Sequence, residues 1–338
     1  MHFKLNRQIC SDILNFAGSQ NTVYATMKAQ PLFKQTKDTI EVNMPFVAHT
    51  LNLFQRYLTD SNEVLCHTYA SLPMRRRIQP WRKRLVNGAQ IIGKRWLGVY
   101  SYLDHAQLLQ LRSGESEEVF QDSLNGEDEG GELQVGGLGP FLDYKQYLTS
   151  SQNVTLHLPE EPHTWPTKFE QHLHALGHPA ARYFDKLSSN EITTAASSKR
   201  TRAQRRAHGP AEQDDTAHKE AIDPKSLSFQ FCGSGHDAET FLASGWLNPL
   251  PPQHGIKGWQ RMTMMKFFVD ADITEHTEAR DVDMETALAM MDESSLWAYE
   301  GVVLPGGEVM VGRWWSPHDQ LDMDSDEYSG PFMFWCID

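Results

Sequence analysis

Apolar and polar positions change their period along this chain, and the change divides it. Leu5, Ile9, Ile13 and Phe16 recur at helical spacing, and apolar-periodic pieces such as HTLNLFQRYL follow, so residues 5 to 60 read as helical. After MRRRIQPWRKR the segment WLGVYSYL alternates, which is the period of a strand and places a boundary near residues 70 to 95. Further on, LSFQF, WQRMTMMKFF, LWAYEGVVL, EVMVGRWW and PFMFWCI are short aromatic and β-branched runs with Pro/Gly turns between them. The pattern predicts an α+β protein: a small helical head over residues 1–70, then a β-rich, barrel-like domain over residues 71–338.

Several stretches interrupt that domain. Ser113 to Leu138 is acidic and glycine-rich, the composition of a loop around one extended piece at Val119-Phe120. TWPTKFEQHLHALG predicts a helix capped by Thr164 and ended by Gly177, with Trp165, Phe169, Leu173 and Leu176 on one face. Residues 188–225 are poor in large apolar side chains and rich in charge, so they read as a disordered insertion. Its KRTRAQRR core reads as a nuclear localisation signal, or as a solvated linker or short exposed helix. From Asp270 to Ser295 the chain is acidic again, with METALAMM as one short helix.

One hairpin stands out. In WAYEGVVLPGGEVMVGRWW the Gly306-Gly307 pair supplies the positive φ of a tight turn. If Pro305 and Glu308 close it, Val303 faces Met310, Val302 faces Val311, and Glu300 lies opposite Arg313. These two charges then share a face with Val302 and Val311, while Tyr299, Val303, Met310 and Trp314 take the other. Both faces are expected to be covered, and a charge pair there must be hydrogen-bonded. Two readings stay open: a structural Glu–Arg pair sealing the barrel, or an Arg313 guanidinium, framed by Trp314 and Trp315, offered to a peptide carboxylate or carbonyl.

Charge and composition narrow the chemistry. The chain has 338 residues, 40% of them hydrophobic, and a formal charge of −13. Residues 1–112 hold 15 Lys/Arg against 6 Asp/Glu, and residues 270–338 hold 2 against 17. The basic part lacks interleaved aromatics and any nucleic-acid module, so no nucleic-acid partner is expected. Cys10, Cys66, Cys232 and Cys336 have neither zinc nor disulfide spacing and are expected as reduced, buried thiols. No run approaches the roughly 18 apolar residues that span a membrane, and the amino terminus lacks a signal-peptide core, so a cytoplasmic or nuclear protein without a membrane partner is expected.

Searches for a catalytic or cofactor motif fail one by one. Asp322, Asp324 and Asp326 have calcium-loop spacing, but Glu327 replaces the required glycine and Met333 the bidentate glutamate. His163, His172, His174 and His178 lack a metal-site pattern, and VGGLGP is no dinucleotide fingerprint. Cys232, Ser234 and His236 are neighbours without a triad signature. No enzyme, cofactor or metal is expected.

FLASGWLNPLPPQHGIKGWQRMTMMKFF, LWAYEGVVLPGGEVMVGRWW and YSGPFMFWCID together resemble the carboxy-terminal domain of a group of filamentous-fungal F-box-type proteins. GKRWLGVYSYLDHAQLLQLR and VFQDSLNGEDEGGELQ extend the resemblance, from about Met74 to Asp338. It implies a substrate-recognition adaptor: a helical head docks on the Skp-type subunit of a cullin ubiquitin ligase, and the β-rich domain binds a protein or peptide target. Leu5, Ile9, Ile13 and Leu14 would then meet the adaptor, and Ala25–Asp38 would form the next helix. Trp259, Arg261, Trp297, Glu300, Arg313, Trp314 and Trp315 would surround the target. The departure lies at Leu5-Asn6-Arg7-Gln8, where an F-box has Leu-Pro-x-Glu. The alternative is a free-standing protein-interaction module without a ligase link.

Overall fold

The structure, a computed structural model, describes residues 16–35, 40–79, 95–114, 229–236, 240–268, 296–317 and 329–337, with the short strand segments 136–137 and 154–157. Four helices are described: α1 (Phe16–Tyr24), α2 (Met44–Thr59), α3 (Val64–Ser71) and α4 (His105–Ser113). Helix α2 forms where expected, for readable reasons. Asn43 caps it by accepting the Phe46 N–H, Pro45 sits in its first turn, and Phe46, Val47, Leu53, Phe54, Tyr57 and Leu58 recur on its buried face.

The expected helix over Ala25–Asp38 does not form. A turn at Thr26–Gln30 leads past Pro31 into β1 (Phe33–Gln35), which pairs with β2 (Ile40–Val42) as a two-stranded ribbon. Pro31 cannot donate within a helix, which ends the helical run. The ribbon's outer edge is satisfied by one side chain from far along the chain. Gln253 accepts the Val42 N–H through Oε1 at 2.9 Å and donates through Nε2 to the Ile40 carbonyl at 3.0 Å. Gln253 itself sits in a tight turn with reciprocal backbone bonds to Ile256, held open by positive φ at His254 and Gly255.

The second part is a nine-stranded antiparallel sheet. Its strands are β3 (Arg95–Tyr100), β4 (Gly136–Gly137), β5 (Val154–His157), β6 (Phe229–His236), β7 (Thr240–Pro249), β8 (Gln260–Phe267), β9 (Trp297–Val303), β10 (Val309–Trp315) and β11 (Ser329–Cys336). Strands β6 to β11 pair in chain order, β11 pairs with β3, and the short β4 and β5 bridge β3 to β6, so the pairings return to their start. The fold is α+β and barrel-like, as the pattern predicted.

Alternation gives the sheet two different faces. The inner one carries Trp96, Phe231, Phe241, Met262, Met264, Tyr299, Trp314, Phe332 and Phe334 as one buried cluster. Rings fill it because glycines make room: a Cβ on Gly98 would lie 1.6 Å from Phe334, and one on Gly245 2.2 Å from Phe231. The outer face carries Leu97, Val99, Val302, Val311, Met333 and Trp335, which share one core with Val23, Tyr24, Phe46, Leu53, Phe54 and Leu65 of the helical part. Head and sheet therefore bury a common apolar seam. Helix α4, which the apolar pattern does not announce, is capped by Asp104 on the Gln107 N–H and closed by Gly114 at φ 70°.

The helix at residues 164–176, the insertion at about 188–225, METALAMM, Val119-Phe120 and the Asp322–Asp326 run lie outside the described residues. Among those described, no helix is long and apolar enough to cross a membrane, and Cys66, Cys232 and Cys336 are not joined in disulfides; Cys232 is buried as expected, whereas Cys66 and Cys336 are only partly buried.

Two outcomes test this packing. Gln253→Ala leaves two buried backbone groups of β2 unmet and should lower unfolding free energy in urea by about 2–4 kcal/mol. Between α1 and α2, Asn52 donates to Ser19 Oγ at 2.8 Å, and the same oxygen shares a hydrogen bond of 3.1 Å with His49 Nδ1. Burial holds the His49 pKa below the usual 6.5. The unfolded chain thus binds more protons, so this contribution to stability is complete above pH 6.5 and is lost as pH falls through the lowered value. Melting curves should show the decline in the parent protein and a flatter profile in His49→Gln.

Candidate functional site

The hairpin of β9 and β10 sets the register of the expected site. Gly307 donates its N–H to the Leu304 carbonyl at 3.0 Å, so Pro305 and Gly306 hold the centre of the turn, with φ at 107° for Gly306 and 72° for Gly307. The turn thus sits one residue earlier than a Gly-Gly turn closed by Pro305 and Glu308. The strand register is the same: Val303 faces Met310, Val302 faces Val311, and Arg313 faces Glu300.

Glu300 also has a neighbour that the hairpin alone does not reveal. Strand β8 lies on its other side, and Arg261 reaches diagonally to donate Nε to Glu300 Oε1 at 2.7 Å and Nη2 to the same oxygen at 2.5 Å. Arg261 is fully buried and Glu300 is 2% exposed. Such a pair persists because the carboxylate is held by charge-assisted bonds where water cannot compete. The Phe33 ring, 5.6 Å from the Arg261 guanidinium, covers it from the ribbon.

Arg313 points from the same face into the helical layer. Its Nη2 donates to the Val23 carbonyl at 3.1 Å, and its guanidinium lies 4.8 Å from the Phe46 ring centroid. Val23 belongs to the last turn of α1, whose carbonyls have no partner within the helix. Arg112 of α4 serves the next of these by donating Nε to the Tyr24 carbonyl at 3.0 Å, and its Nη2 reaches Ser329 Oγ at 3.4 Å. Two cations at a helix carboxyl end also match the sign of the helix dipole. The Tyr24 hydroxyl completes the seam with Ser101 Oγ at 2.9 Å.

The expected target residues thus divide between the two faces. Arg261, Glu300, Arg313 and Trp315 take outer-face positions of the sheet and are buried, and Trp259, just before β8, is buried in the core shared with the head. Trp297 and Trp314 lie on the inner face, edge to face at 5.3 Å, and of the seven only Trp297 keeps partial exposure. Leu5, Ile9, Ile13 and Leu14, expected to meet an adaptor, lie outside the described residues.

Sequence reading missed a second constellation, at the inner end of the barrel around Trp314. Tyr100 and Tyr102 approach that ring at 5.5 and 6.5 Å, and Lys266 of β8 extends among Phe241, Phe268 and Tyr100. The available signal was a lysine at an inward-alternating position of the apolar run MTMMKFF. Elsewhere, burial pushes the Cys232 thiol up to about 11, which opposes nucleophilic use of the Cys232-Ser234-His236 run. Among the described residues, no group of three or more His, Cys, Asp or Glu side chains is placed to hold a metal ion.

Comparison with known proteins gives no match to any family model, curated protein or solved structure.

Charge changes in the buried row should act on stability. Arg313→Glu places a carboxylate against the α1 carbonyls and should cost about 3 kcal/mol or more in denaturant unfolding, as should Glu300→Gln, which withdraws the carboxylate from Arg261. Unchanged unfolding free energy in both variants would remove the structural role argued for this row.

Proposed function

We propose that the chain is a substrate-recognition adaptor of a cullin-type ubiquitin ligase, in which the amino-terminal part meets a Skp-type subunit and the barrel meets a protein target. The observation that carries this reading is the seam: α1, α2, α3 and the outer sheet face share one core, so a partner held by the head has a fixed position relative to the barrel. That is the mechanical requirement for presenting a target to a separate catalytic partner. The resemblance of the β segments to F-box-type proteins supports it, and so does the apolar spacing of Leu5, Ile9, Ile13 and Leu14. Of the residues expected to meet a target, Trp297 is the one with exposed surface on the barrel.

A free-standing interaction module is the second reading, and a specific observation favours it. The apolar face of α2 is spent on the barrel, through Phe46, Leu53 and Phe54, rather than offered to an adaptor. Adaptor binding must then rest on residues before Phe16.

The seam also dictates the experiment. Removing residues 1–60 would take Phe46, Leu53 and Phe54 out of the shared core, so loss of binding would report unfolding instead of docking. Aspartate at Leu5, Ile9, Ile13 and Leu14 together avoids this. The full chain should retain a Skp-type subunit in a pull-down and the fourfold variant should lose it, with equal melting temperatures. Retention by neither chain withdraws the ligase link and leaves the interaction-module reading.

A further inference from the structure

Two oddities of the described surface are neighbours in the chain. Met74 is 73% exposed, more than any other large apolar side chain described, and Arg75 beside it is exposed as well. Most described arginines have a use: Arg56 pairs with Glu63, Arg77 and Arg112 hold backbone carbonyls, Arg261 holds Glu300, Arg313 holds Val23, and Arg95 is engaged too. The guanidiniums of Arg75 and of the partly buried Arg76 meet no acceptor among the described residues. Yet the single 3₁₀ turn that carries them, Met74–Arg76, is held firmly. Arg77 folds back to donate to the Leu72 carbonyl at 2.8 Å and to that of Ala70, and the Ile78 N–H donates to the Tyr69 hydroxyl at 2.9 Å. From β11, Trp335 Nε1 donates to the Arg76 carbonyl at 2.8 Å, and the Trp335 ring meets Tyr69 edge to face at 5.8 Å. Bonds to α3 and β11 thus fix the backbone, while Met74 and Arg75 stand clear of it.

We propose that this turn docks an acidic segment of a partner protein, with Met74 against an apolar side chain of that segment and Arg75 and Arg76 on its carboxylates. A planar guanidinium matches a carboxylate, and an unbranched thioether adapts to the surface it meets. Because the backbone is already fixed, docking orders little more than the side chains. The sign of the charge fits as well, since residues 1–112 hold 15 Lys/Arg against 6 Asp/Glu. A lipid surface asks for a broad apolar face, which one methionine does not supply. A nucleic-acid strand asks for an aromatic platform, and Tyr69, the ring next to the turn, is taken by Trp335. This surface is independent of the adaptor reading and is measured on the chain alone.

The test uses three fluorescein-labelled peptides and reads anisotropy with the full chain. One carries a leucine flanked by glutamates, the second has glutamine for every glutamate, and the third has serine for the leucine. The first should bind about tenfold more tightly than the second, the worth of two exposed charge contacts, and the margin should shrink as salt is raised. Arg75→Gln with Arg76→Gln should abolish that margin. Met74→Ser should remove the advantage of leucine over serine and keep the preference for glutamate. The anchoring bonds come from the backbone and from other side chains, so melting temperatures should match the parent. Equal affinity for the glutamate and glutamine peptides, or a preference that survives the double substitution, overturns the proposal. So does tighter binding of oligothymidylate or of phosphatidylserine vesicles than of the glutamate peptide. Absence of binding to the parent chain overturns it too, whatever the variants do.

Discussion

A row of buried charges between sheet and helices sets most of the remaining geometry. Glu300 takes two bonds from Arg261 on one neighbouring strand and faces Arg313 on the other, all three residues nearly withdrawn from water. Such charges are tolerated only where partners meet them at close range. For Arg313 one partner is the Val23 carbonyl, so α1 must end where it does, with its last turn aimed at β10. Phe46 must then lie over the guanidinium, which fixes α2 as well. The placement of the head is thus written partly in the sheet.

The sheet's two faces solve the burial problem in different ways. Inside, large rings lie over glycines, and the fit is steric: where Phe334 passes Gly98 no other side chain has space. Outside, branched aliphatic residues and paired charges meet helices, and the fit is chemical. Gly312 belongs to both. A Cβ there would lie 2.1 Å from the Glu300 carbonyl and 2.8 Å from Phe332, so any larger residue would spread β9 from β10 and disturb the charged row together with the ring packing.

Where a feature depended on neighbours in sequence, the sequence displayed it. The register of β9 and β10 followed from the Pro-Gly-Gly turn and the period of two, and so did the sorting of Glu300 and Val302 to one face and Tyr299 and Val303 to the other. Strands β8 to β11 were legible for the same reason. Partners brought in by topology were not. Arg261 reaches Glu300 across 39 positions, Arg313 meets Val23 across 290, and Gln253 completes the β2 edge across 211. The resemblance implied a helix over Ala25–Asp38, and the residues there could not correct it, since a three-residue strand is too short to show alternation.

A common core has a consequence for how this protein can recognise anything. Residues that look like a binding surface in the sequence, a tryptophan-flanked arginine above all, are consumed by the seam, because an arginine that can grip a peptide carbonyl can equally grip the end of its own helix. To free Arg313 for an outside ligand, α1 would have to leave the sheet, exposing Val23, Tyr24 and Phe46 together with the apolar outer face they cover. The apolar burial lost is far larger than one arginine contact returns. Any outside ligand would have to use surface that is reached without opening the seam, and of the seven residues expected to meet a target only Trp297 keeps partial exposure.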